Sequence, residues 1–203
     1  MPLLTGSAQL HLFAWSTTTS HSADLYNNVG STDDAYPQVG QFDGSGNSYT
    51  SDSLFWGPGQ PMGTYPYTSE LIAPDVIGGA PNNYVAAGQT IPLNPQGKAF
   101  GSISFAGAAS NGPSYGTGTV NYTDGTQQTF TLGLSDWTLN GGTQAPSFSN
   151  QPVGTFGYRN TPGDRRTFLS SSSKRILKSR QEKSYKVSPC QALLTRESYT
   201  SSP

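Results

Sequence analysis

Residues 117–134 read TGTVNYTDGTQQTFTLGL, two runs of alternating apolar and polar residues on either side of Asp124-Gly125. The pattern predicts a β-hairpin, because Asp-Gly favours a tight turn and alternation is typical of strands. A two-residue turn would place Val120 and Phe130 on opposite faces. A three-residue loop with Gly125 in the left-handed bulge position collects five apolar residues on one face, so we expect the bulged loop. Those five are Val120, Tyr122, Phe130, Leu132 and Leu134.

Further strand signals precede the hairpin, at residues 9–15, 84–86, 89–93 and 99–105. Residues 26–49 are rich in Asn, Asp, Gly and Ser, which predicts a long loop region that carries whatever the protein binds. Four prolines forbid a regular helix in the stretch that follows: Pro58, Pro61, Pro66 and Pro74. Strand signals without a helical segment between them predict an all-β fold, an antiparallel β-sandwich or jelly roll.

The composition agrees with this fold class. Charged residues make up 11% of the chain and aromatic residues another 11%, a mixture that suits a sandwich with polar, Tyr-bearing loops better than a helical protein. Cys190 is the single cysteine, so the residues before it can form neither a disulfide nor a thiolate metal site. The chain has no apolar stretch of membrane-spanning length and no signal-peptide pattern at its start, so we expect no membrane partner.

The charge distribution changes abruptly after Asp164. Residues 1–164 hold two basic residues against ten acidic ones, a net charge of −8, while residues 165–203 hold nine against two, a net charge of +7. The second part shows neither a strand nor a helix period, which predicts a disordered or irregular basic C-terminal tail. We therefore expect an N-terminal strand in residues 1–21, a β-sandwich module in residues 22–164, and a low-complexity tail in residues 165–203.

The tail could also be the product of a reading-frame change. Under permitted codon choices, the neighbouring frame of residues 187–203 can encode VTLPGPPDAGELHIFS. The end of that string is similar to SAQLHLFA at residues 7–14. The alternative is a genuine basic extension that contacts nucleic acid or an anionic surface. The nucleotide sequence across codons 160–203 distinguishes the two hypotheses.

Four stretches carry a resemblance to a known family: LYNNVGSTDD at 25–34, QFDGSGNSY at 41–49, VAAGQTI at 85–91, and YTDGT at 122–126 followed by LSDW at 134–137. Together they resemble accessory, galactose-binding-like β-sandwich modules of secreted bacterial glycoside hydrolases, such as α-mannosidase-like and fucosidase-like enzymes. The resemblance covers about 22–164. It implies an extracellular, non-catalytic, carbohydrate-binding module whose partners are a glycan, a parent catalytic domain or neighbouring repeats. Residues 1–16 resemble the end of a preceding copy, which implies a fragment of a larger enzyme or a tandem array.

Sugar binding needs aromatic faces for the CH side of a pyranose and amide groups for its hydroxyls. Trp56, Tyr65 and Tyr67 lie in a Gly/Pro-rich setting that favours exposure, so we expect them, with Asn27 and Asn28, to bind the ligand. Two other aromatic residues, Trp15 and Trp137, are expected to be buried. The alternative function is a structural spacer or protein-interaction module that binds no glycan.

No catalytic arrangement is visible in the sequence. Asp33 and Asp34 are adjacent and would point to opposite faces of an extended chain, and Glu70 is the only Glu before the tail. No nucleophile elbow accompanies a His, so we do not expect an enzyme. Nucleic acid is not an expected partner, because the basic tail lacks interleaved aromatic residues and the remainder is acidic.

A structural calcium ion is the one cofactor that the residues suggest. The segment DGSGN at 43–47 offers oxygen ligands at alternate positions, and Asp43, Asp33 and Asp34 are the candidate metal ligands. The twelfth position of that loop is Leu54 and not the Glu of an EF-hand. An Asp-Gly turn bonded to its own backbone is the alternative interpretation.

Overall fold

A computed structural model describes residues 9–15, 26–52, 74, 79–93, 102–122, 124–166, 170–178 and 190–195. These residues are mostly strands with few helices, which confirms the all-β class. The strands are β1 (Gln9–Trp15), β2 (Ser31–Thr32), β3 (Ser48–Thr50), β4 (Tyr84–Val85), β5 (Thr90–Leu93), β6 (Ser102–Ser110), β7 (Ser114–Asn121), β8 (Gln127–Leu134), β9 (Gln151–Phe156), β10 (Arg159–Thr161), β11 (Asp164–Arg166), β12 (Ser170–Lys178) and β13 (Cys190–Thr195). The elements other than strands are a 3₁₀ turn at Pro37–Val39 and a single turn at Leu139–Gly142, in which Asn140 and Gly141 have positive φ values of 52° and 67°. Neither is long and apolar enough to span a membrane.

The strands form three sheets. A five-stranded sheet has the order β4-β1-β6-β12-β9, and a four-stranded sheet has the order β5-β13-β7-β8. A second four-stranded sheet, made of strands of two or three residues, has the order β11-β10-β3-β2. Pairing within the sheets is antiparallel except between β2 and β3, which pair in parallel. The antiparallel prediction is therefore wrong for this one pair.

One core cluster joins the first two sheets. Side chains of β4 and β6 meet side chains of β5, β7 and β8, and all of them are buried. The cluster consists of Tyr26, Tyr84, Ile91, Phe105, Ala109, Val120, Leu132 and Leu134, with Leu10, Ala86, Tyr122 and Phe130 packed against it. Burial of so much apolar surface is the main stabilising contribution to this part of the protein.

Two tyrosines of this cluster lie side by side, with Tyr26 and Tyr84 ring centroids 4.7 Å apart. Burial raises the pKa of Tyr84 to about 12. Burial, and then the neighbouring Tyr84, raise the pKa of Tyr26 well above its ordinary value near 10. Both phenols therefore stay neutral in the folded protein at physiological pH.

The β7–β8 hairpin has the predicted geometry. Gly118 opposes Phe130, the Tyr122 N–H donates to the Thr126 carbonyl at 2.9 Å, and Gly125 has a φ of 84°. This is a three-residue loop with Gly125 in the left-handed bulge position. The five apolar residues assigned to one face all belong to the core cluster or pack against it, so the bulged-loop prediction is confirmed.

The other predicted strands agree to within a few residues. The strand at 9–15 is β1, the strands at 84–86 and 89–93 correspond to β4 and β5, and the strand at 99–105 corresponds to β6. Strand β6 continues to Ser110, five residues beyond the expected end. It reads SISFAGAAS, and its small residues from Ala106 onward gave no alternation by which to predict it.

The prediction of a long loop at 26–49 is wrong in part. This region contains β2, the first two residues of β3 and the 3₁₀ turn, and two of its aromatic side chains are buried in a second cluster. Phe42 and Tyr49 pack against Trp137 with ring centroids 4.8 and 5.2 Å away, and Phe156 lies 5.1 Å from Tyr49. These contacts join residues about a hundred positions apart, and a local pattern does not report them. Trp137 is 2% exposed, which confirms that it is a core residue.

The prediction of a tail without strands is also wrong for β12 and β13, and for the last two residues of β11. β12 pairs with β6 on one side and β9 on the other, and β13 pairs with β5 and β7. Each of these two strands is paired on both edges through its backbone N–H and C=O groups, and these hydrogen bonds do not depend on an alternation of apolar and polar side chains. The frame-change hypothesis and the domain boundaries stay predictions.

Candidate functional site

The expected aromatic ligands lie outside the part of the chain that the structure describes. This holds for Trp56, Tyr65 and Tyr67. The predicted amide residues and carboxylates are described, and so is a pair of exposed aromatic side chains that the sequence analysis did not single out.

Asn27 bonds to the edge of the five-stranded sheet. Its Oδ1 accepts a hydrogen bond from the Val85 N–H at 2.8 Å, and its Nδ2 donates to the Val85 carbonyl at 3.3 Å. Since Val85 is part of β4, the carboxamide takes the place of a further strand on the outer side of β4. Both amide atoms of Asn27 are engaged in the fold, which leaves little capacity for a ligand.

Asn28 belongs to the same structural group. It forms an antiparallel bridge with Asn83, and its carbonyl accepts the Asn82 N–H at 2.9 Å. Its Nδ2 is buried and has no acceptor among the described residues. The two asparagines predicted to bind ligand thus hold β4 in place.

The Asp43 carboxylate closes its own loop. Oδ1 accepts the Ser45 and Asn47 N–H groups at 2.9 and 3.2 Å, and Oδ2 accepts the Asn47 Nδ2 at 2.5 Å. This is the turn bonded to its own backbone that the sequence analysis kept as the alternative. The geometry favours that alternative over a calcium loop.

Asp33 and Asp34 have different environments. Asp33 Oδ1 accepts the Ala35 and Tyr36 N–H groups at 3.0 and 2.9 Å. Asp34 accepts hydrogen bonds from the Tyr158 hydroxyl at 2.7 Å and the Thr50 hydroxyl at 2.9 Å. Among the described residues no group of three or more His, Cys, Asp or Glu could hold a metal ion. Asp33 therefore stabilises its own turn. Asp34 joins Thr50 of β3 to Tyr158, the residue before β10.

Tyr115 and Phe148 form an exposed aromatic pair, which we call the aromatic pair below. Tyr115 is 48% exposed and Phe148 is 40% exposed, and their ring centroids are 6.3 Å apart at an angle of 64°. Tyr115 opposes Gly133 across the hairpin, and the Phe148 ring covers Gly133. A Cβ atom on Gly133 would lie 2.6 Å from Phe148 Cγ, so only glycine leaves room for the ring.

The backbone of the second aromatic residue is strained. Phe148 and Ser149 have φ values of 56° and 55°, in the left-handed region that residues other than glycine rarely occupy. Such conformations cost about 1–3 kcal/mol each and persist only where the surrounding structure imposes them. Strain of this kind often occurs at binding sites, since it holds a side chain in position before the ligand arrives.

Asn150 and Ser135 impose this conformation. Asn150 Oδ1 accepts the Ser135 N–H at 2.8 Å, and Asn150 Nδ2 donates to the Gly133 carbonyl at 3.1 Å. The Ser147 N–H donates to Ser135 Oγ at 2.8 Å. Asn150 and Ser135 are buried, so the hydrogen bonds form where water competes little. The loop before β9 is thereby tied to the end of β8 on both sides of Phe148.

Polar side chains continue the surface beside the aromatic pair. The register of the hairpin places Thr117 opposite Thr131 and Thr119 opposite Thr129 on the face that carries Tyr115. At the far end of this face the Gln127 Nε2 donates to Asn121 Oδ1 at 2.7 Å. An exposed aromatic surface next to a row of hydroxyl groups offers both contacts that a sugar ring requires.

Tyr115 could have been found from the sequence. The bulged hairpin assigns even-numbered residues of β7 to the core, so Tyr115 must point outward. Phe148 could not, because it lies in a loop without a period and its position depends on Ser135 and Asn150. A third exposed aromatic residue, Tyr36, is 58% exposed and precedes the 3₁₀ turn, beside Val39 at 39%.

No protein-family model matches this chain, and no curated protein matches it in sequence at a significant level.

Proposed function

We propose that this chain is a non-catalytic carbohydrate-binding accessory module. The observation that carries the proposal is the aromatic pair. Both rings are exposed, and the Phe148 ring packs over Gly133. The loop that carries Phe148 has a strained backbone and is held by buried hydrogen bonds. A rigid aromatic surface costs little conformational entropy when a ligand binds, which is why such surfaces suit weakly apolar ligands such as sugars. The neighbouring threonine hydroxyls would bond to the hydroxyl groups of the sugar.

The finer fold belongs to the same proposal. The five-stranded sheet and the β5-β13-β7-β8 sheet share one core cluster, which supports a β-sandwich with the aromatic pair on the outer face of the second sheet. The resemblance to modules of secreted glycoside hydrolases supports an extracellular location and a parent catalytic domain or neighbouring repeats as partners. Trp56, Tyr65 and Tyr67 stay proposed ligand residues.

The test is binding of the full chain to a glycan array, followed by affinity electrophoresis in soluble polysaccharides that contain galactose, mannose or fucose. We expect Tyr115→Ala and Phe148→Gly to weaken binding at least about tenfold, which corresponds to about 1.4 kcal/mol. Glycine is chosen at position 148 because it adopts a positive φ without strain. Tyr36→Ala removes a more exposed ring that does not belong to the aromatic pair and serves as the control.

One result would contradict the proposed function, and another would contradict the aromatic pair as its site. A folded chain that binds no glycan on the array would favour the structural spacer. Glycan binding that survives both substitutions but is lost on Trp56→Ala or Tyr67→Ala would move the site to the residues expected from the sequence. Circular dichroism of each variant excludes unfolding as the cause of lost binding.

A further inference from the structure

The face of the β7–β8 hairpin that carries Tyr115 is long and regular. The two strands pair without a bulge over their whole length, from Ser114 to Asn121 of β7. Since each residue of a strand advances the chain by about 3.3–3.4 Å, the distance from Tyr115 to Asn121 is about 20 Å. The aromatic pair occupies only one end of this length.

Four threonines occupy the middle of the same face. Thr117 opposes Thr131, and Thr119 opposes Thr129. Thr129 and Thr131 are exposed, and the other two are half-buried. Opposed side chains have Cβ atoms about 4.5–5.5 Å apart, so the threonines form two adjacent rows. Their β-branched side chains have few rotamers to lose, which keeps the entropic cost of binding a ligand low.

Two carboxamides lie at the far end of this face. The Gln127 Nε2 donates to Asn121 Oδ1 at 2.7 Å, and this hydrogen bond holds the two side chains together. A carboxamide offers both donors and acceptors, which suits the hydroxyl groups of a sugar. The hairpin therefore presents aromatic rings, then hydroxyl groups, then amides along one line.

The described strands place no charged residue on this face of the sheet. In β7 and β8 the face consists of Tyr115, the four threonines, Gly133, Asn121 and Gln127. The pairing of β13 with β7 and β5 continues the face through uncharged residues, which by register are Thr195, Leu193, Gln191, Thr90 and Pro92. An anionic sugar is bound most strongly by charge-assisted hydrogen bonds from Arg or Lys. The face therefore suits an uncharged ligand.

We propose that the aromatic pair is one end of an extended site along the β7–β8 hairpin, which binds an uncharged polysaccharide over several sugar rings at a time. This inference rests on the proposed function. One ring packs on Tyr115 and Phe148, and the rings that follow bond to the threonine hydroxyls and then to the two carboxamides. Affinity should therefore increase with the length of the bound chain.

The test is calorimetric titration of the full chain with mannan- and galactan-derived oligosaccharides, from the disaccharide to the hexasaccharide. We expect the affinity to rise at least about tenfold over a series that binds. The double variant Thr119→Val/Thr129→Val removes two hydroxyl groups and keeps the β-branched shape. It should weaken hexasaccharide binding about three- to tenfold and leave disaccharide binding unchanged, whereas Tyr115→Ala should weaken both. Thr155→Val, at an exposed threonine of β9 in the five-stranded sheet, is the matched control and should change neither.

Polygalacturonate tests the charge of the ligand. The titration is made in about 0.3 M NaCl, which screens the basic residues after Asp164, and we expect no measurable binding. Binding as tight as that of a neutral series would contradict an uncharged ligand. Equal affinity for disaccharide and hexasaccharide, or no effect of the double variant, would overturn the extended site and leave the proposed function intact. If neither neutral series binds, the inference fails, and a blank glycan array in addition would contradict the proposed function itself.

Discussion

The contact between Gly118 and Phe130 predicts a large effect for one added methyl group. A Cβ atom at position 118 would lie 2.7 Å from Cε1 and 2.8 Å from Cε2 of Phe130, and nearer still to Cζ. The ring cannot move away freely, because it stacks on Phe105 with centroids 5.4 Å apart and an angle of 26°. Gly118→Ala therefore forces either the ring or the strand out of place.

The expected cost follows from two opposing terms. Overpacking in a core costs about 1–3 kcal/mol, and replacing a strand glycine with alanine recovers about 0.5–1 kcal/mol of backbone entropy. Gly118→Ala should therefore destabilise the protein by about 1–2 kcal/mol. Phe130→Ala should cost about 2 kcal/mol, less than for a fully buried ring, because Phe130 is only partly buried.

A double-mutant cycle measured by urea denaturation tests the physical reason. If the ring is what excludes a side chain at position 118, the double variant should cost no more than Phe130→Ala alone, a coupling of about 1–2 kcal/mol. Gly157→Ala is the control, since an added Cβ there meets no heavy atom within 4 Å, and it should be neutral or stabilise the protein by up to about 1 kcal/mol. Additivity within about 0.5 kcal/mol would refute the reasoning.

Three further outcomes are expected. Gly125→Ala should cost about 1 kcal/mol in urea denaturation through backbone strain at φ 84°, and Gly125→Asn clearly less; equal costs would contradict this. Asn150→Ala should cost about 2 kcal/mol, since it leaves the buried Ser135 N–H unpaired, and it should also weaken glycan binding; unchanged stability would count against the proposed loop support. As the pH rises from about 10 toward about 12, the urea concentration at the midpoint of unfolding should fall. The reason is that unfolded tyrosines lose their protons near pH 10, while the folded state keeps them. A flat midpoint between pH 9 and 11 would contradict the raised pKa values, and Tyr26→Phe should reduce the fall. The tyrosines concerned are Tyr26, Tyr49 and Tyr84.

The hairpin could be predicted from the sequence because all its determinants are local. Asp124-Gly125 sets the turn, and alternation on each side sets the register, so Gly118 and Phe130 could be paired without knowledge of the rest of the chain. Neighbouring strands were recognised for the same reason, from runs of a few residues. Nothing in such runs depends on contacts that are distant in sequence.

The second aromatic cluster could not be predicted in this way. Phe42 lies in a segment of turn-forming residues and is nevertheless fully buried, because Trp137 comes to it from the end of the hairpin. The same limitation applies to β12, whose Ser-rich sequence has no strand period but lies between two partner strands. Their burial and pairing are set by distant parts of the chain.

The candidate site contains residues of both kinds, those placed by local sequence and those placed by contacts distant in the chain. The sequence points to Asn27 because of its amide group, and in the structure this group bonds to the backbone at the edge of β4. Tyr115 followed from the hairpin register, but its value as a binding residue depends on Phe148, whose place is set by hydrogen bonds to Ser135 and Asn150. Binding sites are typically formed by loop residues that a rigid scaffold holds in position. In this site the residue on the strand can be predicted from the sequence, and the residue in the loop cannot.

Ser135 connects strand β6 to the candidate site. Its carbonyl accepts the Ala109 N–H of β6, while its N–H and hydroxyl hold the loop that carries Phe148. A substitution at Ser135 would therefore disturb both the contact with β6 and the position of Phe148. Tyr115→Ala removes one ring of the aromatic pair and leaves these hydrogen bonds in place, so the two substitutions separate loss of the ring from loss of its support.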